Sequence, residues 1–184
     1  MRTTIIKKLL CLSVCFALLF TLACCGEKAD KPSQKPTLPP QTEPNAHNYT
    51  TFTTEQYQIT LPKDFRQVKT PDDRIGYTNN FVSVLLWNEP FTVHPSLPDM
   101  ALEEYAQKMI ERYKLDTRPQ NLGGVIWFEY QVNVPEQSAT YSYLVTLYKT
   151  NSAFWCIEYV CDSRDMISHR ENFLEWALTV SFTD

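Results

Sequence analysis

The chain has 184 residues, 43% of them apolar and 21% charged, with 17 Lys and Arg against 21 Asp and Glu for a net charge of −4. That acidic balance, with no block of basic residues, argues against nucleic acid or an anionic membrane face as partner, because phosphate binding needs a basic patch. Its 3 histidines, at 47, 94 and 169, are scattered, and its 4 glycines, at 26, 76, 123 and 124, form no phosphate-cradling loop.

Arg2, Lys7 and Lys8 precede the apolar run from Leu9 to Ala23, the pattern of a secretory leader rather than of a fold element. A run of about 15 apolar residues is short of the roughly 20 that a spanning helix needs. It ends in Thr21-Leu22-Ala23-Cys24-Cys25-Gly26, which resembles a bacterial lipobox. Ala23 gives Cys24 the small preceding side chain such a site wants, and Leu22 gives Cys25 the apolar residue three positions before it. One of these two cysteines is therefore expected to carry lipid, and the acyl chains, at about 0.8 kcal/mol per buried carbon, would bind the bilayer. The expected location is the extracytoplasmic face of the cell membrane. Loss of Arg2, Lys7 and Lys8 with the leader would lower the net charge by three, from −4 to −7.

The expected organisation is a signal peptide at 1–23, a lipidated N-terminus and proline-rich tether at 24–48, and one folded domain at 49–184. Residues 26–48 hold prolines 32, 36, 39, 40 and 44 and almost nothing to bury, which is the composition of a spacer. A domain of about 136 residues buries roughly two-thirds of its unfolded surface and needs no disulfide or metal to hold it.

In chain order, Tyr49 to Thr53 and Tyr57 to Leu61 read as short strands, the second ended by Pro62. Arg74 to Thr78 and Phe81 to Trp87 read as a hairpin about Asn79-Asn80, a pair that tolerates left-handed conformations. Both faces of the 81–87 strand are apolar, so it is expected inside a sheet. Glu89 to Leu97, with Pro90 and Pro95, reads as a loop. Leu102, Tyr105, Ala106, Met109, Ile110 and Tyr113 then recur at helical spacing, predicting a helix near Asp99 to Leu115 with Asp99 as its N-cap. A loop over Asp116 to Asn121 and a turn at Gly123-Gly124 lead to three consecutive antiparallel strands, between Val125 and Cys161, rich in Val, Ile, Thr and aromatics. A second helix is expected from Met166 to about Leu178, followed by a short edge strand at Val180 to Phe182.

If Val134 faces Ala139, and Thr150 faces Ala153, the three-stranded segment sorts its side chains into two faces. One collects Ile126, Phe128, Tyr130, Val132, Tyr141, Tyr143, Val145, Leu147, Phe154, Cys156 and Val160. The other carries Trp127, Glu129, Gln131, Ser142, Leu144, Thr146, Tyr148, Trp155, Ile157, Tyr159 and Cys161, too polar for a simple core and too aromatic for bare solvent. Cys156 and Cys161 fall on opposite faces about 16 Å apart at the strand rise, beyond the reach of a disulfide, and are expected as free thiols. Glu158 lands on the apolar face, where a carboxylate must be paired or protonated. It reads either as the polar anchor of a ligand pocket or as the partner of a residue such as Arg74. Trp127, Tyr148, Trp155 and Tyr159 read either as an open contact surface or as the floor beneath a helix.

The order of lipobox, tether, "YQITLPKDF", a hairpin, "ALEEYAQKM", the Tyr- and Trp-rich meander and "FLEWALTVSF" resembles the PsbP-like superfamily, over roughly Tyr49 to Phe182. It is most similar in plan to that superfamily's bacterial lipoproteins of the DcrB type. The resemblance implies an α+β fold, an antiparallel sheet with helices packed on both faces as an α/β/α sandwich. It also implies a non-enzymatic interaction or assembly module without a cofactor. Catalytic, cofactor and metal residues are accordingly expected to be none, and a protein at the cell envelope is the expected partner. The competing expectation is a small-ligand carrier or hydrolase with a pocket near Glu158, contacted by Trp127, Tyr148, Trp155 and Tyr159.

Overall fold

The computed structural model describes residues 48–72 and 74–183; the leader, Cys24, Cys25 and the tether lie outside them. The chain opens with β1 (Tyr49–Thr53) and β2 (Tyr57–Pro62), joined where the Thr54 hydroxyl accepts hydrogen bonds from the N–H groups of Gln56 and Tyr57. Next come β3 (Arg66–Lys69), β4 (Ile75–Thr78) and β5 (Val82–Pro90). Asn79 closes the β4–β5 turn by accepting the N–H groups of Phe81 and Val82, and Asn80 supplies the left-handed residue at φ 79°. Then follow α1 (Leu102–Tyr113), β6 (Gln120–Leu122), β7 (Val125–Val134), β8 (Ala139–Lys149), β9 (Ala153–Asp162), α2 (Met166–Leu178) and β10 (Ser181–Phe182).

Seven strands form one antiparallel sheet in the order β3-β4-β5-β9-β8-β7-β6, and β1-β2-β10 form a separate three-stranded sheet. The meander has the expected register: Val134 faces Ala139, and the Thr150 N–H donates to the Ala153 carbonyl. Both faces of the large sheet are covered. On one, Tyr105, Ala106, Met109 and Ile110 of α1 pack on Ile126, Phe128, Leu147, Phe154 and Cys156, with the Tyr105 and Phe154 rings stacked at 4.0 Å. On the other, Phe173 and Trp176 of α2 and Tyr57, Ile59 and Leu61 of β2 pack on Trp155, Ile157 and Tyr159. Each such large apolar side chain, fully buried, contributes about 1.5–3 kcal/mol. Arg170 of α2 adds a two-pronged contact to Glu129 on β7, at 2.5 and 2.8 Å. The architecture is α+β, an antiparallel sheet with one helix on each face, plus the small sheet that shares a face with α2.

Several local expectations are corrected. α1 begins at Leu102 with Ala101 as its N-cap and no capping side chain, so Asp99 lies in the preceding turn. α1 ends before Lys114, which takes the left-handed conformation at φ 55° and returns its N–H to the Glu111 and Ile110 carbonyls. β5 continues to Pro90 instead of stopping at Trp87. β6 is a strand where a loop was expected, β3 is a strand over a stretch assigned to no element, and β1, β2 and β10 stand apart from the main sheet. Cys156 and Cys161 are both free and buried, one in each core.

Candidate functional site

The sheet is uneven at one place. β4 pairs with β5 over four residues, from Thr78↔Ser83 to Ile75↔Leu86, whereas β5 runs on through Trp87, Asn88, Glu89 and Pro90 with β9, among the described residues, as its one paired strand. Past Ile75 the slot that a longer β4 would fill is an open groove of about 310 Å³, lined by Gln56, Asp72, Arg74, Ile75, Leu86, Trp87, Asn88 and Trp155. Alternation along β5 divides these walls. Leu86 and Asn88 point toward α2 and the small sheet, as do Ile75 and Trp155; Trp87 points toward α1.

Arg74 links the groove to the buried Glu158. Its Nη1 donates to Glu158 Oε2 at 2.7 Å, and its Nε lies 2.6 Å from Asp72 Oδ2. The Arg74 and Glu158 side chains are 15% and 14% exposed, while Asp72 at 30% reaches solvent on the rim. Burial pushes the Glu158 carboxyl above its ordinary range, against the opposing pull of Arg74. Burial also works against the Arg74 charge, but Glu158 and Asp72 more than offset it and hold the guanidinium ionised. The phenols of Tyr130 and Tyr113 are raised by burial first, with Glu158 adding to both. The cluster is thus one cation between two acids.

Glu158 itself does not line the groove; its partner Arg74 does. The aromatic residues singled out in the sequence lie on the opposite face of the sheet from Glu158. Tyr159 is fully buried, stacked on Phe173 of α2 at 5.4 Å. Trp155 is 5% exposed, between Tyr57 at 5.7 Å and Phe182 of β10 at 5.0 Å, and its remaining edge lines the groove. Tyr148 is half-buried, with its hydroxyl donating to the Ala177 carbonyl at 2.8 Å, and Trp127 packs partly buried against the same core. This face is the floor beneath α2 and β10. Of the set, the groove gathers Trp155 directly and Glu158 through Arg74, and it leaves Trp127, Tyr148 and Tyr159 out.

Gln56, Asp72, Trp87 and Asn88 were not singled out in the sequence. The signal for them was a difference in strand length, with Pro90 as the residue that seemed to forbid a strand. Pro90 is tolerated because β4 is not paired with β5 at that level. Among the described residues, both histidines and Lys149 are engaged locally. His94 pairs with the Ser96 hydroxyl at 2.8 Å in the turn, His169 stacks on Phe173, and Lys149 donates to the Pro98 and Met100 carbonyls. Among the described residues no three His, Cys, Asp or Glu side chains are grouped to hold a metal ion, and no helix is long and apolar enough to cross a membrane.

The sequence matches no protein-family model and no curated protein. Among solved structures, it is similar to a crystal structure from Bacteroides thetaiotaomicron VPI-5482, with a TM-score of 0.56 and 10% identity. That match covers 74% of this chain, which spans 49%, about half, of the Bacteroides chain. It is also similar to the solution structure of cyanobacterial PsbP (CyanoP) from Synechocystis sp. PCC 6803, with a TM-score of 0.49 and 8% identity over 79% of this chain and 99% of that one. What the Bacteroides likeness establishes, at such identity, is a shared fold.

Proposed function

We propose that the protein is a lipoprotein of the DcrB type within the PsbP-like superfamily. In this reading lipid on Cys24 or Cys25 holds it at the extracytoplasmic face of the cell membrane. The folded domain acts there as a non-enzymatic binding or assembly module for a protein partner in the envelope. The observation that carries the reading is the groove beside the end of β5, open rather than enclosed, on a sheet buttressed from both faces. Around it the ionisable groups are partnered within the fold: Arg74 is shared by Asp72 and Glu158, and Glu89 accepts a hydrogen bond from the Tyr105 hydroxyl at 2.7 Å. Groups held this way favour recognition over proton transfer, because each is committed to a partner within the fold. The anchor rests on the apolar run ending at Ala23-Cys24-Cys25 and the spacer after it.

The test has two arms. Metabolic labelling with a palmitate analogue should follow the wild-type protein into the membrane fraction and vanish when Cys24 and Cys25 are both changed to Ser. Chemical crosslinking on intact cells, read by mass spectrometry, should then yield one dominant heterologous partner. An unlabelled soluble product removes the anchor, and a monomer that never crosslinks removes the module.

A further inference from the structure

Among the described residues the two most exposed large apolar side chains are Ile167, 83% exposed, and Phe81, 73% exposed. Both lie at one end of the domain. Phe81, in the β4–β5 turn, precedes Val82, which pairs with Cys161 of β9. The Cys161 Sγ lies 3.9 Å from the Met166 Sδ, and Ile167 follows Met166 in the first turn of α2. The described chain begins at this same end. The Lys63 N–H donates to the Asn48 carbonyl at 2.9 Å, and the neighbouring Asp64 accepts the Asn79 side-chain amide at 3.0 Å, close to Phe81. The groove is at the other end of β5: from Phe81 to Asn88 the chain rises about 23 Å.

We propose, resting on the lipid-anchor reading above, that this end of the domain docks on the phospholipid surface, with the Phe81 ring and the Ile167 side chain entering the boundary between headgroups and acyl chains. A lone apolar side chain on a surface is ordinary, but these two share the end at which the chain from Cys24 or Cys25 arrives. Residues 26–47 separate that end from the lipid, and a coil of such a length spans roughly 25 Å, which keeps the tip within reach of the bilayer at high local concentration. Charge is nearly balanced at the tip, with Lys63, Arg66 and Arg164 against Asp64, Glu136, Asp162 and Asp165. Burial of apolar surface therefore carries the contact, not attraction to anionic lipid. Docked this way, the domain turns the groove at Gln56, Trp87 and Asn88 away from the membrane and toward a partner in the envelope.

The test uses the full chain, purified from the membrane fraction and reconstituted into phosphatidylcholine vesicles, with a photoreactive phenylalanine analogue at position 81 or 167. The controls place it at Val93 or Leu122, exposed apolar residues at the opposite end of the sheet. Illumination should give phospholipid adducts at 81 and 167 at a yield about 10-fold above that at 93 and 122, as the burial of one large apolar side chain implies. The yield should persist at about 0.5 M salt, where exposed charges are screened. With the analogue at 81, Ile167→Glu should lower the adduct about 10-fold while leaving the circular dichroism unchanged, since the side chain is exposed. Equal yields at all four positions, loss of the adduct in salt, or no effect of Ile167→Glu overturns the proposal. If the palmitate analogue labels the chain but position 81 captures no lipid, the docking is wrong and the anchor stands; an unlabelled soluble chain removes both.

Discussion

Replacing Arg74 with Met keeps most of its volume and removes the cation between Glu158 and Asp72. Breaking a buried ion pair from one side costs about 3–5 kcal/mol, because the other charge stays behind without its partner. With the two side chains 15% and 14% exposed, water offsets part of this, which argues for the lower end, about 3 kcal/mol. In a domain of this size that lowers the melting temperature by roughly 10 °C. The loss should depend on pH in a defined direction. Glu158 sits above its ordinary range in the folded chain, so the folded state holds that proton more tightly than the unfolded state does. Its contribution is fully present below the unfolded carboxylate value of about 4.3 and is lost as pH rises through the folded value. Removing Arg74 takes away the pull that restrains Glu158, raising the folded value further. The Arg74→Met penalty should therefore be largest near neutrality and shrink toward pH 5. Adding Glu158→Gln should recover about 2 kcal/mol at pH 7, leaving only the cost of a buried amide with incomplete hydrogen bonding. Urea unfolding of the parent, both single variants and the double variant at pH 5 and pH 7.5 closes the cycle. An Arg74→Met chain within about 0.5 kcal/mol of the parent, or a penalty equal at both pH values, refutes the reasoning.

Two further outcomes follow from the packing. Phe173, fully buried between Tyr159 and Trp176, should cost about 3–5 kcal/mol on change to Ala, with a loss of near-UV circular dichroism from the aromatic cluster. Cys156 and Cys161 should both resist thiol reagents in the native chain and both react after unfolding without reductant; burial pushes the Cys161 thiol up to about 12 and raises Cys156 as well.

The elements that could be read from the sequence were those whose side chains carry their own periodicity. α1 showed a helical stripe, and the meander showed alternation between turns short enough to set its register, which placed Cys156 and Cys161 on opposite faces, as the structure has them. β3 and β6, Arg-Gln-Val-Lys and Gln-Asn-Leu, are polar edge strands with little to bury, and nothing in their composition separates them from loops. β1 and β2 alternate as strands of the main sheet do, and alternation does not say which strand is the neighbour; the second sheet was hidden for that reason. Glu158 announced its need for a partner, and Arg74 meets it. The cover over Trp155 and Tyr159 comes from Phe182 and Phe173, residues of other elements, and could not be read from the strand that carries them. The groove was hidden most deeply, because it arises from β4 ending four residues before β5, a property of neither strand alone.

The module reading is tested most directly by installing a photoreactive phenylalanine analogue at Gln56, an exposed residue lining the groove, and separately at Glu171 on the outer surface of α2. Illumination of intact cells should give a single heterologous adduct from position 56 and none from position 171. Equal adducts from both positions, or none from position 56, would contradict a partner held in the groove beside β5.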